Sequence, residues 1–402
     1  MPTKITPEIE AFARIKVIGV GGSGTNAVNH MVNAKVRGVE FITMNTDAQH
    51  LHHSPANKKV HIGKNLTRGL GTGMDPEIGR KAAEESLEDI QNVLKGADMV
   101  FVSGGLGGGT GTGAAPVIAR VAKEQGALTI AVVTKPFIFE GKQRMALAEK
   151  GLNELQKEVD AVIIIPNDRL LGIISKDTTA ESAFSMCDEI LRQAVEGISN
   201  IISIPGIINV DFADIRAIMQ NAGSALMGIG EASGENRATE AARNAINSPL
   251  LDLSVDGAKG VLFTIAGGSD MTMFEIQEAA KVITESIDTD AKVIFGAIHD
   301  DKLKKNEIKI TVIACGFPES QKKKSGIFSF DSTETKKSTD DSNDNNNSFI
   351  KGTKEQPKKE SFAIDNQAED DDENDDWSSI PAFLRRNTNK GNNGQDKDRP
   401  KQ

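Results

Sequence analysis

The sequence predicts an α/β protein: a Rossmann-like parallel sheet, then a long central helix, a smaller α+β C-terminal domain and a disordered tail. Three observations support this class. Apolar runs of strand length alternate with helical patterns from residue 15 to residue 165, which is typical of a parallel sheet. Two strands end in glycine-rich turns that lead directly into helices, as in doubly wound sheets. After residue 318 apolar residues become scarce, so this part cannot bury enough surface to fold.

The first unit has a strand at 15–20, a glycine-rich turn at 21–26 with a helix after it, and a second strand at 41–44. Gly19, Gly21 and Gly24 satisfy the pattern G-x-G-x-x-G, and Asp47 follows the second strand. This is where a dinucleotide-binding unit places an acid on the ribose. An NAD(P)-dependent dehydrogenase is therefore one interpretation. A second glycine-rich turn weighs against it, since a dinucleotide needs only one.

The second glycine-rich turn, residues 104–113, lies between an apolar strand at 98–103 and a helix from 114. Glycines let the backbone approach an oxyanion closely and take positive φ. Backbone amides and the start of a helix then favour negative charge. Thr110 and Thr112 add hydroxyl donors. No Gly-Lys-Ser/Thr follows, so this is not a Walker A loop, and backbone amides plus a metal ion would balance the phosphate charge.

The alternation continues with a helix at 76–95, a strand at 128–133, a helix at 140–159 and a strand at 161–165. Both glycine-rich turns, Asn45, Thr134 and Asn167 fall at carboxyl ends of strands. Open parallel sheets bind ligands at that edge, so we expect these segments to form one site.

A long helix is predicted over 178–203, because apolar side chains recur every three and four residues and Pro205-Gly206 ends the pattern. The rhythm then changes to a smaller α+β domain with a mostly four-stranded sheet and helices on one face. Its predicted strands are 224–230, 261–266, 293–298 and 308–314, and its helices are 237–247 and 271–287.

Composition narrows the function classes. A net charge of −10 argues against non-specific nucleic-acid binding, which needs a basic face. Two cysteines provide no disulfide framework or Cys-based zinc site, and Cys187 is expected in the core. The apolar runs are too short to cross a bilayer, and no secretory signal is evident.

His50, His52, His53 and His61 cluster in sequence. A metal site is one interpretation, and exposed loop histidines are the favoured one.

Asp211 and Asp214 stand at the start of a helix. Local pattern favours helix capping. The alternative is a carboxylate pair that polarises a water for attack on a phosphate. A helix of about 26 residues, some 35–40 Å long, separates them from the glycine turns. They would therefore reach only the site of a neighbour stacked head to tail, a contact that builds filaments.

Residues 107–113, Gly-Gly-Gly-Thr-Gly-Thr-Gly, resemble the signature of the tubulin/FtsZ family of GTPases, and here the closer likeness is to the bacterial cell-division members. Matching segments include 19–29, 45–49, 134–137, 139–141, 166–168 and 209–214. The resemblance covers about residues 10–318 and the peptide 377–386, and it overrides the dehydrogenase interpretation.

The resemblance implies GTP and GDP as ligands with nucleotide-associated Mg²⁺, no protein metal ligand being specified. It implies phosphate contacts from the two glycine turns, a third loop near the γ-phosphate, an ion pair at the ribose, and three residues that read or stack on guanine. The implied nucleotide-binding residues are Gly21, Gly22, Ser23, Gly24, Thr25, Asn26, Gly71, Thr72, Gly73, Gly108, Gly109, Thr110, Gly111, Glu140, Arg144, Asn167, Phe184 and Asp188. Asn209, Asp211 and Asp214 are implied as the catalytic loop inserted into the next subunit, which reverses the preference for capping alone. Ser23 departs from the glycine usual in the family.

The resemblance further implies assembly-activated GTP hydrolysis, head-to-tail homopolymers, and a cytoplasmic protein of the mid-cell division ring in septum formation. Membrane tethers and regulatory division proteins would bind residues 377–386, so no direct membrane insertion is expected. The loop with Asn209, Asp211 and Asp214 is called the synergy loop. The predicted segments are a flexible N-terminus (1–10), nucleotide-binding domain (11–177), central helix (178–203), synergy loop and helix (204–222), C-terminal domain (223–318), disordered linker (319–376), partner-binding peptide (377–386) and polar tail (387–402).

Overall fold

The structure is a computed structural model that describes residues 13–172, 178–251, 257–300 and 302–317. The predictions for the N-terminus, the linker, the partner-binding peptide and the polar tail lie outside these residues. They stay predictions.

Ten strands in the described part of the chain form one hydrogen-bonded sheet. They are β1 (Ile15–Val20), β2 (Val39–Asn45), β3 (Lys58–His61), β4 (Met99–Gly105), β5 (Leu128–Lys135), β6 (Ala161–Pro166), β7 (Gly223–Ser233), β8 (Gly260–Gly267), β9 (Lys292–His299) and β10 (Glu307–Cys315). Their order in the sheet is β3-β2-β1-β4-β5-β6-β7-β10-β8-β9.

The helices that connect these strands are α1 (Gly21–Asn33), α2 (Ala48–His53), α3 (Lys64–Thr67), α4 (Pro76–Glu85), α5 (Leu87–Leu94), α6 (Thr110–Glu124), α7 (Lys142–Glu158), α8 (Asn167–Leu171), α9 (Ala180–Ser203), α10 (Phe212–Met219), α11 (Arg237–Ile246) and α12 (Met273–Thr284). Within the described residues, none of them combines the length and apolar character needed to cross a membrane.

The sheet is mostly parallel, as predicted. Neighbouring strands from β3 through β7 are parallel, whereas β10 runs antiparallel to both β7 and β8, and β9 is parallel to β8. The four C-terminal strands were predicted as a smaller sheet. They are hydrogen-bonded to the first six through β6 and β7, over the short register from Ala161↔Gly223 to Ile163↔Ala225.

Helices cover both faces of the sheet, which is the doubly wound arrangement. One core contains buried side chains of α1, α9 and α10, among them Met31 and Leu191. The core on the other face contains side chains of α4 to α7, among them Ile118 and Leu155. A third core joins α11 and α12 to the C-terminal strands. These layers leave the carboxyl ends of the first six strands free to carry a site.

The helix predicted over 76–95 is wrong as a single element, because α4 ends at Glu85 and α5 begins at Leu87. Between them Ser86 adopts φ −107° and ψ 24°. Its hydroxyl accepts a hydrogen bond from the Gly63 N–H at 3.1 Å, and this tertiary contact accompanies the break. The predicted helix at 140–159 begins two residues later, since Gly141 has φ 101°.

The predicted long helix is α9, which has 24 residues and is therefore about 36 Å long. Thr179 caps its start, accepting a hydrogen bond from the Ser182 N–H. Buried residues repeat along one face as expected, including Leu191, Ala194 and Ile198. The length of α9 therefore separates its own first turns from the segment that begins at Ile204.

Gly113 in α6 is expected to tolerate no side chain. A Cβ atom there would lie 1.9 Å from the Pro76 carbonyl oxygen and 2.7 Å from the Arg80 nitrogen. Gly113→Ala should lower the free energy of unfolding by about 3 kcal/mol, because the overlap outweighs the helix propensity gained. Urea unfolding measures this. Gly172→Ala, whose Cβ would lie 3.5 Å from its nearest neighbour, is the matched control and should change stability by less than about 0.5 kcal/mol. Equal stabilities for the two variants would contradict the close packing of α4 on α6.

Candidate functional site

A cavity of about 450 Å³ lies at the carboxyl ends of β1, β4, β5 and β6. The end of each of these strands contributes to its lining, through Val20, Gly105, Thr134 and Asn167. The predicted convergence of strand ends is therefore present in the fold. Asn45 differs from the prediction: it is buried and lies behind the lining, where its side chain faces His50.

The first glycine turn passes into α1 without an intervening loop. Gly21 has φ +70°, and a Cβ atom on it would lie 2.8 Å from the Gly111 nitrogen. The two glycine turns therefore touch each other, which only a residue without a side chain allows here. Gly24 packs similarly on the Ser103 carbonyl, and the Thr25 hydroxyl donates to the Gly21 carbonyl.

These contacts divide the residues predicted for the first turn into two groups. Gly22, Ser23 and Asn26 line the cavity. Gly21, Gly24 and Thr25 are buried inside the turn and hold its shape. The two groups alternate because α1 begins at Gly21 and presents one face to the cavity and the other to the core.

The second glycine turn ends where α6 begins, at Thr110. Gly108, Gly109, Thr110 and Gly111 all line the cavity, so the first amides of a 15-residue helix border it. Such a helix start favours an anion. Thr112 does not take the predicted phosphate position, because its buried hydroxyl accepts a hydrogen bond from the Gly107 N–H at 2.9 Å and ties the turn together.

A third loop completes this end of the cavity through Thr72, Gly73 and Met74, whereas Gly71 is outside the lining. The Thr110 hydroxyl lies 2.8 Å from that of Thr46 and 3.4 Å from that of Thr72. The hydroxyl groups of the first α6 residue and of two loops therefore meet at the start of that helix. Thr72 and Thr110, together with the amides, give this wall of the cavity hydrogen-bond donors, with no charged side chain among its described residues.

Glu140 and Arg144 form an ion pair on the opposite wall. The Phe137 N–H also donates to Glu140, at 2.9 Å, which fixes the carboxylate. The buried Nε atom of Arg144 has no hydrogen-bond partner among the described residues. An unpaired buried donor is costly, so this wall offers a ligand one unsatisfied N–H.

The far end of the cavity combines an amide, an aromatic ring and a carboxylate. Asn167 is buried, and its Oδ1 atom has no hydrogen-bond partner within the described part of the chain. The half-exposed Phe184 ring packs edge-on against Phe137, with centroids 5.4 Å apart. Asp188 follows one helical turn later on α9. This end therefore offers acceptors and a ring face, as a purine base requires.

Burial raises the pKa of Asp188 to about 6, and the nearby His30 opposes that rise. The group is thus a desolvated carboxylate that lacks a strong cationic partner and gains from a ligand that donates hydrogen bonds. The neighbouring Cys187 also lines the cavity, and burial raises its pKa to about 12. Its thiol stays protonated, as expected for a packing residue rather than a nucleophile.

The predicted acids lie beyond the other end of α9. Asp211 caps α10, accepting a hydrogen bond from the Ala213 N–H at 3.1 Å, and Asp214 is in the first turn of that helix. The Asn209 side chain accepts from the Gly206 N–H at 2.6 Å. None of the three belongs to the described residues that line the cavity. The site and these acids are separated by the length of α9.

The histidine cluster proves to be structural in part. His50 and His61 are half-buried, with ring nitrogens 2.9 Å from the Asn26 Oδ1 and 3.2 Å from the Thr46 carbonyl. The favoured interpretation as exposed loop histidines is wrong for these two, whereas His52 and His53 are exposed on α2. In the part of the chain that the structure describes, no group of three or more His, Cys, Asp or Glu side chains could hold a metal ion.

Seven lining residues are absent from the nucleotide-binding residues that the resemblance implied: Val20, Met74, Gly105, Leu106, Thr134, Pro136 and Cys187. Five of them lie in or shortly after predicted strands or in the second glycine turn, so the sequence carries a signal for them. Met74 and Cys187 carry no such local pattern, because tertiary packing alone brings them to the cavity.

The fold and the cavity define a class of α/β protein in which two glycine turns, rather than a lysine-bearing loop, border a cavity suited to an anion. Comparison with known proteins identifies the family. Residues 14–175 match the GTPase domain of the Tubulin/FtsZ family, and residues 223–318 match the C-terminal domain of the FtsZ family. The chain belongs to the FtsZ family.

Solved structures agree with this assignment. An FtsZ dimer from M. jannaschii is 45% identical, with a TM-score of 0.74, and the match covers 76% of this chain and 89% of that one. CetZ2 from Haloferax volcanii, solved as a GTPγS-bound protofilament, is 21% identical with a TM-score of 0.64, and the match covers 75% of this chain and 92% of that one. The second likeness concerns the fold alone.

Proposed function

We propose that this chain binds GTP in the cavity, polymerises head to tail, and hydrolyses GTP at a site that two adjacent subunits share. One observation carries the proposal: the cavity and the loop with Asp211 and Asp214 lie at opposite ends of the 24-residue α9. Each chain would therefore hold one half of a hydrolytic site at one end of α9 and the other half at the opposite end. Stacking in one direction would join the halves.

The far end of the cavity suits guanine. The Asp188 carboxylate can accept from N1–H and N2–H₂, a pair of donors that adenine does not offer. The unpaired Asn167 Oδ1 provides a further acceptor, and Phe184 provides a ring face. Glu140 and Arg144 would hold the ribose, and the lining residues of the two glycine turns, with Thr72 and Gly73, would hold the phosphates.

The phosphate end supplies amides and hydroxyls but, among the described residues that line it, no carboxylate cluster. An associated Mg²⁺ would thus take its ligands mainly from phosphate oxygens and water, as this ion commonly does. When bound, the ion would neutralise part of the phosphate charge. We assign it no protein ligand.

Exposed apolar side chains support head-to-tail assembly. Leu70, Met74, Ile138 and Phe139 are exposed. Met74 lines the cavity, Leu70 precedes the same loop, and Ile138 and Phe139 directly precede the lining residue Glu140. A second exposed set is Ile207, Met273 and Phe274, and Ile207 belongs to the segment that leads to the acids. This set is at the carboxyl ends of β8 and β9, where the Ile207 and Ile208 N–H groups donate to the Ala297 carbonyl. Two different apolar surfaces favour a heterologous contact, which does not close into a dimer.

A solved relative supports this assembly, since the M. jannaschii structure is described as an FtsZ dimer. For this chain we propose filaments that act in the cytoplasm at the mid-cell division ring, during septum formation. Residues 377–386 would bind membrane tethers and regulators, and 319–376 would be the linker.

The test is pelleting with GTP against GDP while phosphate release is measured. The proposal expects pelleting with GTP and a specific turnover that rises with protein concentration. Turnover independent of concentration would exclude a shared site, and pelleting without phosphate release would leave a non-hydrolysing scaffold. A thermal-shift comparison of GTP, NAD and NADP separates the dehydrogenase alternative, which requires stabilisation by a nicotinamide nucleotide.

Nucleotide affinity should depend on pH through Asp188. Burial raises the pKa of this carboxyl to about 6, so it is ionised and accepts hydrogen bonds at pH 7 but carries a proton at pH 5. Because guanine would bind the ionised form, affinity for GDP should fall as pH drops below 6, by up to about tenfold per pH unit. Titration of a fluorescent GDP at pH 5, 6 and 7 measures this. Asp188→Asn is the control that should lack this pH dependence, and a wild-type affinity constant from pH 7 to 5 would contradict the assignment.

A further inference from the structure

His50 on α2 lies against the first glycine turn, although it does not line the cavity itself. Its ring is the nearest group to Gly22, where a Cβ atom would be 3.7 Å from Nδ1. Its Nε2 atom is 2.9 Å from the Oδ1 of Asn26, and Asn26 lines the cavity. The histidine is therefore one hydrogen bond away from the nucleotide position.

The direction of each hydrogen bond follows from one backbone amide. The Asp47 N–H, which can only donate, lies 3.3 Å from the Asn45 Oδ1. This contact sets the orientation of the Asn45 amide and turns its Nδ2 toward the His50 Nδ1, at 3.5 Å. Since an amide nitrogen only donates, Nδ1 is the acceptor and the proton of the neutral ring is on Nε2.

The chain of hydrogen bonds continues to the cavity. His50 Nε2–H donates to the Asn26 Oδ1, so that oxygen is occupied and the Asn26 NH₂ group is the part left for a ligand. Asn45 is buried, and His50 is half-buried, so tertiary packing holds the start of this chain of bonds. Without it, the exposed amide of Asn26 could turn either its oxygen or its nitrogen to the cavity.

We propose that His50 is a positioning residue that fixes Asn26 as a hydrogen-bond donor to an acceptor atom of the bound nucleotide. This proposal rests on nucleotide binding in the cavity, as proposed above. His50 itself does not contact the nucleotide. It acts by disfavouring the rotamer of Asn26 that turns the amide oxygen to the cavity. The result is a pre-oriented donor in a site whose described lining contains no lysine.

A double-mutant cycle on the full chain tests the proposal, with GDP affinity as the readout. His50→Leu should weaken GDP binding about five- to tenfold, the value of roughly one hydrogen bond. Asn26→Ala should weaken it at least as much. The double variant should be no weaker than Asn26→Ala, because His50 acts only through that residue. His50→Gln, whose amide can still donate to Asn26, should recover most of the affinity.

Each outcome either supports or overturns the positioning role of His50. Additive losses, or wild-type affinity in His50→Leu, would overturn the positioning role. If His50→Leu does not fold, as judged by circular dichroism, His50→Asn replaces it, since that side chain is too short to reach Asn26. Failure of the wild type to bind GDP would overturn the proposed function instead, and is thus distinguishable from failure of this inference.

Discussion

Replacement of Asp214 by alanine is expected to leave GTP affinity unchanged and to lower turnover by about 10²- to 10⁴-fold, the usual contribution of a general base or water-orienting carboxylate. Binding is spared because Asp214 is not among the described residues that line the cavity of its own chain. Turnover is lost because the neighbour's GTP would no longer face a carboxylate. Phosphate release and fluorescent-GTP titration, both at assembling concentrations, measure the two quantities. Equal losses in affinity and turnover would contradict this division of roles.

Mixing two defective variants tests whether the site is shared. Asp214→Ala keeps an intact cavity, and Asp188→Ala keeps both acids of the loop. In an equal mixture that co-pellets, roughly a quarter of head-to-tail contacts would join an intact cavity to an intact loop, because each contact takes one half from each partner. Turnover should therefore reappear in the mixture although each variant alone is inactive. A mixture no more active than its components would show that the two halves belong to one chain.

Asp211 requires a different substitution because it caps α10. Asp211→Ser keeps an N-cap side chain that can accept from the Ala213 N–H but removes the carboxylate. If capping were its whole role, this variant would match wild type in stability and turnover. The proposed function expects wild-type stability together with slower turnover. The pair of measurements separates the two interpretations that the sequence left in competition.

The location of the site could be predicted from local sequence, because glycine-rich turns at strand ends are produced by neighbouring residues. Local sequence did not predict which residues of a turn face the cavity. Gly21 and Thr25 match the motif as well as Gly22 does, yet Gly21 packs against the second turn and Thr25 is buried with its hydroxyl on the Gly21 carbonyl. Thr112 differs from Thr110 only by its position on α6, and that is enough to direct its hydroxyl to Gly107.

Contacts between segments distant in the sequence could not be predicted from local sequence patterns either. The His50–Asn26 hydrogen bond joins residues 24 positions apart, and either residue alone resembles an ordinary surface side chain. The break at Ser86 coincides with a hydrogen bond from Gly63, 23 residues earlier. The three-residue pairing of β6 with β7 joins two sheets that the strand patterns presented as separate. In each case the signal is a tertiary partner rather than a motif.

Replacement of Asp188 by asparagine is expected to exchange guanine for xanthine as the preferred base. In the wild type the carboxylate would accept from N1–H and N2–H₂ of guanine. In the variant an NH₂ group faces N2–H₂, so two donors oppose each other and GTP affinity should fall about 10²- to 10³-fold. Xanthine has a carbonyl oxygen at that position, which the new amide can bind. Competition of GTP, XTP and ATP against a fluorescent nucleotide measures the exchange.

Two further observations make this result specific. Asp188→Ala should lose GTP affinity without gaining affinity for XTP, because it offers no donor. The nucleotide-free Asp188→Asn protein should also be at least as stable as wild type at pH 7. Burial raises the pKa of Asp188 to about 6, so any stability that its protonated form provides is lost as the pH rises through 6, and a neutral amide avoids the burial of charge. A drop in GTP affinity in a protein that melts no earlier than wild type must then come from the hydrogen bonds to the base. Unchanged GTP affinity in Asp188→Asn would remove Asp188 from the base site.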